Sequence, residues 1–182
     1  MKKVLLLGDS IRMGYQPFVQ EGLRGEAEVV GPEENCRFSK YTLWGVNLWM
    51  EQLGKPDIVH WNNGLWDLHH EFPMVEALTL LPEYLENLTR IINELERTGA
   101  VIIFATTTPV NPIGRGRSNA EIDRYNEAAA ALMRSRGIEV NDLNRLVKQD
   151  LAGNICEDLL HLTDSGSRQC AEQAMDVIRK YL

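Results

Sequence analysis

Short, largely apolar runs recur along the chain, separated by longer stretches in which apolar residues return every three to four positions. The runs lie at residues 4–7, 27–30, 57–61, 101–105 and 138–140. They are too short for helices and do not alternate with polar residues. Such runs predict strands buried on both faces, as in a parallel sheet. The longer stretches predict helices. Residues 13–24 form one, interrupted near its start by Pro17. In 41–53, Leu43, Val46, Met50 and Leu53 share one face and Gly54 ends it. Within 75–97, Leu81, Leu85, Leu88, Ile92 and Leu95 make an apolar stripe, with Gly99 as the stop. Residues 119–136, closed by Gly137, and 164–181, capped by Asp164, complete the set. Residues 33–39 and 107–117 read as loops.

Alternating strands and helices predict an α/β fold with three α/β/α layers. No repeat, low-complexity segment or linker divides the chain, so residues 1–182 read as one domain. Ligands of such folds sit at the carboxyl ends of the strands, near the switch in strand order. Polar residues cluster there. The first strand ends in Gly8-Asp9-Ser10, the third in Asn62-Asn63-Gly64-Leu65-Trp66-Asp67 and the fourth in Thr106-Thr107-Thr108-Pro109. Asp158-Leu159-Leu160-His161 stands just before the last helix.

Composition narrows the partners. Hydrophobic residues make up 44% and charged residues 25%, as in ordinary globular proteins. A net charge of -7 argues against nucleic acid. The three cysteines, Cys36, Cys156 and Cys170, suggest neither a disulfide framework nor a zinc site, and a reduced cytoplasmic setting fits them. The apolar run after Met1-Lys2-Lys3 is too short for a signal peptide core, and no run has transmembrane length.

A serine hydroxyl becomes a nucleophile when a neutral imidazole takes its proton and a carboxylate holds that imidazole in the right tautomer. Ser10 is the candidate nucleophile. Asp158 and His161, three residues apart, can share one face of a turn, with the carboxylate on the ring nitrogen turned away from Ser10. In this order and spacing the chain resembles the SGNH (GDSL) hydrolase superfamily. Gly8-Asp9-Ser10 matches its first block, Asp158-Leu159-Leu160-His161 its D-x-x-H block, and the strand at 57–67 the one carrying its third block, G-x-N-D. The resemblance implies a five-stranded parallel sheet of flavodoxin-like order and a catalytic triad of Ser10, His161 and Asp158. It also implies an oxyanion hole built from the Ser10 backbone N–H, a second-block backbone N–H and a third-block Asn, each donor typically worth about 3 kcal/mol.

Two departures stand out. Trp66 occupies the third-block Asn position, which makes Asn63 the nearest substitute donor, with Asn62 behind it. The variant Asn-Gly-Leu-Trp-Asp is similar to that of the PC-esterase branch. No glycine marks the second block; Glu34-Asn35-Cys36-Arg37 fills that loop, and the backbone N–H of Cys36 or Asn35 is the expected donor. Asp9, Arg12, Asn35, Asn62 and Trp66 are the expected substrate contacts, with Arg12 read alternatively as a support behind the nucleophile. Asp67 reads as structural. Arg115 and Arg117, in the loop after the fourth strand, read as solvated charge or as contacts for an anionic substrate.

His60, His69, His70 and Glu71 invite a metal reading, but adjacent histidines point apart and no third ligand has suitable spacing. A flavin or nucleotide binder lacks its glycine-rich phosphate loop, and Asp9 stands where the anion would sit. The expected function is hydrolysis of carboxylic esters, with acetyl groups on carbohydrate as the preferred substrate by family analogy. A lysophospholipase- or thioesterase-type acyl hydrolase is the alternative, as is a silent binding protein whose oxyanion hole is broken at Trp66. No metal or organic cofactor is expected. The expected partner is a small-molecule ester, neither nucleic acid nor membrane, and the pattern specifies no oligomeric state.

Overall fold

The computed structural model describes residues 1–182. Five strands, β1 (Lys2–Leu7), β2 (Ala27–Val30), β3 (Ile58–Trp61), β4 (Val101–Ala105) and β5 (Glu139–Asn141), form one sheet in the order β2-β1-β3-β4-β5. All neighbouring pairs run parallel. This is the expected flavodoxin-like order. Val4 to Leu7 on β1 and Ile58 to Trp61 on β3 are buried along their whole length, so both faces of the sheet are covered. Burying each such aliphatic side chain contributes about 2 kcal/mol.

The helices are α1 (Ser10–Gly22), α2 (Ser39–Leu53), α3 (Leu81–Glu96), α4 (Asn119–Ser135), α5 (Leu143–Lys148), α6 (Leu151–Asn154) and α7 (Asp164–Arg179). Helix α1 packs on α7, while α2 packs on α3 and α3 on α4, giving the two outer layers.

Several boundaries differ from the periodic reading, each for a local reason. Helix α1 starts at Ser10 because the Asp9 side chain accepts from the Ile11 N–H at 2.9 Å and caps it at the strand end. It runs through Pro17, whose exposed position lets water satisfy the freed carbonyl. Helix α3 starts only at Leu81, with Pro82 in its first turn. Helix α7 is capped by Thr163 rather than Asp164; the Thr163 hydroxyl accepts from the Gly166 N–H at 3.0 Å. Helices α5 and α6 were not anticipated. Each spans under two turns, too few for a periodic signal, and is started by a capping carboxylate, Asp142 or Asp150.

Strands β2 and β3 flank β1 on opposite sides, so the strand order reverses at the β1–β3 junction. The Asn62 N–H donates to the Leu7 carbonyl at 3.0 Å, which carries the pairing right to the strand ends. Gly8-Asp9-Ser10 and Asn62-Asn63-Gly64 therefore leave the sheet side by side. That is the crevice where this fold class binds ligands.

Candidate active site

Ser10 is the first residue of α1, so its backbone N–H is one of the helix donors without an intrahelical partner. Its hydroxyl meets an imidazole delivered from the other end of the chain. The loop between α6 and α7 is tied by an antiparallel bridge between Ile155 and Leu162 and by the Cys156 N–H on the His161 carbonyl at 2.8 Å. These ties set His161 Nε2 2.9 Å from Ser10 Oγ. On the far side of the ring, His161 Nδ1 lies 2.6 Å from Asp158 Oδ2. An ionised carboxylate can only accept, so Nδ1 carries the proton and Nε2 is left to accept from the serine hydroxyl.

Asp158 is itself held. Its Oδ1 accepts from the backbone N–H groups of Leu160 at 3.0 Å and His161 at 2.9 Å. Those backbone donors, led by Leu160, together with the His161 ring, pull the Asp158 carboxyl down to about 2. It stays ionised wherever the imidazole is neutral. The pair is half open to solvent, with side-chain exposures of 44% for His161 and 50% for Asp158.

The other predicted residues divide into those at the site and those committed to the fold. Arg12 takes the supporting place and not that of a substrate contact. Its guanidinium is buried and donates to the carbonyls of Pro32 at 2.9 Å and Glu34 at 2.8 Å and to Gln16 Oε1 at 2.7 Å. It clamps the second-block loop to α1 and has no free face for a substrate. Asn62 is likewise buried, and its amide donates to the Ala105 carbonyl at 2.9 Å, bracing β3 against β4. Asp9 is fully buried. Its Oδ1 caps α1, its Oδ2 has no hydrogen-bond partner, and burial pushes its carboxyl up against the pull of the Ile11 N–H, Arg12, Arg117 and His161.

Two of the three expected oxyanion donors, Cys36 and Asn63, are engaged elsewhere. The Cys36 N–H donates to the Gly8 carbonyl at 3.1 Å. Asn63 gives its two amide hydrogens to the Arg37 carbonyl at 3.1 Å and Thr42 Oγ1 at 2.9 Å, while its oxygen accepts from Trp61 Nε1 at 2.7 Å. Asn63 is a buried staple between the second and third blocks. Asn35 supports a tight turn, its Oδ1 accepting from the Arg37 N–H at 2.7 Å. Arg37 sits at φ 52°, the left-handed region that glycine adopts most readily. The absence of a glycine hid this turn from the sequence reading.

In the third block, a Cβ at Gly64 would collide with Thr107 Oγ1. Glycine is required there by close approach. Asp67 accepts from the Ser39 N–H at 3.0 Å and the Ser39 hydroxyl at 2.6 Å, and burial lifts its carboxyl to about 6. Trp66 is partly exposed. The indole N–H groups of Trp49 and Trp61 donate to Glu34 and Asn63, whereas that of Trp66 meets no acceptor within the fold.

A cleft of about 140 Å³ opens beside Asp158, lined also by Val110, Gly114, Arg115, Arg117, Leu159 and Leu160. Arg115 also borders a wider groove with His69, His70 and Phe72. His69 pairs with Glu71 and His70 with Glu121, so the adjacent rings turn to different acids. No group of three or more His, Cys, Asp or Glu side chains is placed to hold a metal ion. The three cysteines are unpaired, and no helix is long and apolar enough to cross a membrane.

Comparison with known proteins identifies the family and the fold. The family model described as the GDSL-like lipase/acylhydrolase family matches residues 6–169. A lipase/acylhydrolase from Enterococcus faecalis superposes with a TM-score of 0.86 at 19% identity, over 99% of this chain and 96% of its own. The acetyl xylan esterase AlAXEase gives 0.82 at 19% identity, over 97% and 99%. A carbohydrate esterase family 3 protein from Talaromyces cellulolyticus gives 0.78 at 19% identity, over 100% and 98%. No curated protein sequence matches the chain.

Proposed function

The chain belongs to the GDSL-like lipase/acylhydrolase family of ester-cleaving hydrolases, and from that premise we propose that Ser10, His161 and Asp158 form its catalytic triad. The observation that carries this reading is the unbroken relay from Ser10 Oγ to His161 Nε2 at 2.9 Å and from Nδ1 to Asp158 at 2.6 Å. Ser10 attacks the acyl carbonyl as its proton passes to Nε2. Asp158 fixes the tautomer and stabilises the imidazolium. The imidazolium then protonates the leaving alcohol, and water releases the acyl group from Ser10 by the same exchange. The Ser10 N–H, free at the helix start, is the first oxyanion donor.

A small acyl group such as acetyl, carried on a carbohydrate, is the preferred substrate. The acetyl xylan esterases among the structural neighbours support it. We read residues 1–182 as one domain, and the unpaired cysteines support a reducing compartment as its place of work.

The engagement of Cys36 and Asn63 in the fold favours a second reading, a binding protein with a silent triad. Two measurements separate them. Wild type hydrolyses p-nitrophenyl acetate and Ser10→Ala loses at least a thousandfold of that rate; equal rates in the two would sink the triad. A fluorophosphonate probe labels Ser10 in the active reading and leaves the folded protein unlabelled in the silent one.

A further inference from the structure

Arg115 and Arg117 are two of the seven residues lining the cleft next to Asp158, and neither forms an ion pair, although the chain carries 26 acidic side chains. Arg117 is pinned. Its Nε donates to the Leu65 carbonyl at 2.6 Å, one residue before Trp66. Its two terminal amino groups make no hydrogen bond within the fold. An arginine held by one edge of its fork offers the other edge to a planar anion, which a carboxylate fills with two parallel hydrogen bonds.

The acids around it do not fill that edge. Asp158 is engaged by two backbone N–H groups and the His161 ring. Asp9, within electrostatic reach of Arg117, is buried without a hydrogen bond between them. Glu71, also within electrostatic reach, binds His69. The terminal donors of Arg117 are open to solvent rather than sealed in the fold, so a ligand's carboxylate reaches them by displacing water alone.

Position decides which part of the ester reaches this edge. The cleft is walled by Asp158, Leu159 and Leu160, the turn that presents His161. The imidazolium hands its proton to the departing oxygen, so the alcohol half of the ester lies on the His161 side and the acyl half on the other. We propose that this cleft recognises a carboxylate on the alcohol part of the substrate, held bidentately by Arg117 with Arg115 beside it. The proposal rests on the esterase reading above and names the chemistry of its leaving group.

The test compares 4-acetoxybenzoate with its neutral methyl ester, methyl 4-acetoxybenzoate. Both release the same acetyl group. In wild type, kcat/KM for the anionic ester exceeds that for the neutral one by at least tenfold, and the advantage shrinks with added salt. Arg117→Ala abolishes the advantage through KM, read as the ratio of anionic to neutral ester within the same protein; Arg117→Lys restores part of that ratio. The mono-p-nitrophenyl ester of glutaric acid, with its carboxylate on the acyl side, gains no such advantage. Equal rates on the anionic and neutral esters, parallel losses in Arg117→Ala, or an equal advantage for the acyl-side carboxylate would overturn the proposal. Turnover of the neutral ester by wild type but not by Ser10→Ala keeps those outcomes separate from a failure of the esterase reading.

Discussion

Replacing Asp158 by Asn tests whether the carboxylate acts by choosing the tautomer of His161. The geometry fixes how the new amide must sit. Oδ1 accepts two backbone N–H groups, from Leu160 at 3.0 Å and His161 at 2.9 Å, so an amide oxygen is held there. The amide NH2 then faces His161 Nδ1, which must become the acceptor. The ring proton moves to Nε2, and Nε2 can no longer take the proton of Ser10. Turning the amide over restores the working tautomer but forfeits two hydrogen bonds and sets donors against donors. Together these cost about 3 to 4 kcal/mol. At about 1.4 kcal/mol per factor of ten, kcat falls roughly 10²- to 10³-fold. Asp158→Ala imposes no tautomer. In a site with His161 44% exposed, water solvates the ring and both tautomers are populated. The Ala variant therefore retains a higher kcat than the Asn variant, although it removes more of the side chain. The assay is kcat on p-nitrophenyl acetate near neutral pH for all three proteins, with thermal melts to confirm folding. An Asn variant as active as the Ala variant, or more so, would refute the tautomer argument.

Two further outcomes follow from buried and unpartnered groups. Trp66→Phe keeps the ring and removes the one partly buried indole N–H without an acceptor; if that N–H serves the oxyanion, kcat drops at least tenfold with KM unchanged, and an unchanged kcat removes Trp66 from the oxyanion hole. His60 is buried on β3 between Tyr15 and Asn141, and burial lowers its pKa from 6.5 to about 4. Between those values the unfolded chain binds a proton that the folded chain refuses, so this stability is complete above about pH 6.5 and is lost as pH falls toward 4. The shift is worth about 3 kcal/mol over that window. Asp67, raised from 3.8 to about 6, works in the opposite sense: its folded form holds a proton there, so its contribution grows as pH falls. The two partly cancel in wild type. Urea titrations of wild type and His60→Gln therefore diverge by up to about 1.4 kcal/mol per pH unit between pH 4 and 6.5, and parallel curves would exclude the His60 assignment.

The parts legible in the sequence are those whose physical signal is local. A strand buried on both faces is apolar at nearly every position, which is why β1, β3 and β4 stand out as short runs even with His60 buried in β3. Asp158 and His161 declare themselves through their three-residue spacing, because a turn needs nothing further to bring them together. Ser10 was legible only in combination: Gly8-Asp9-Ser10 means little until a strand end and a distant base are supplied. The errors fall where a side chain's role depends on a partner far away in sequence. Arg12 follows the nucleophile and looks available, yet the carbonyls of Pro32 and Glu34, about twenty residues downstream, absorb its guanidinium.

Asn63 carries the same lesson further. Its amide is of the right type, one residue from Gly64, and yet three partners on β3, the second-block turn and α2 leave it no free hydrogen. One of those partners, the Arg37 carbonyl, is presented by the left-handed turn at Arg37 in the second block. The two departures in the motif are therefore linked: the turn at Arg37 helps engage Asn63, and with Asn63 engaged Trp66 is the third-block side-chain donor that has no partner in the fold. A site in which both amide donors have been drawn into the scaffold must find its remaining polar contacts elsewhere. Arg117, held by the carbonyl beside Trp66 with its terminal donors unmet, is the charged group that the fold places there.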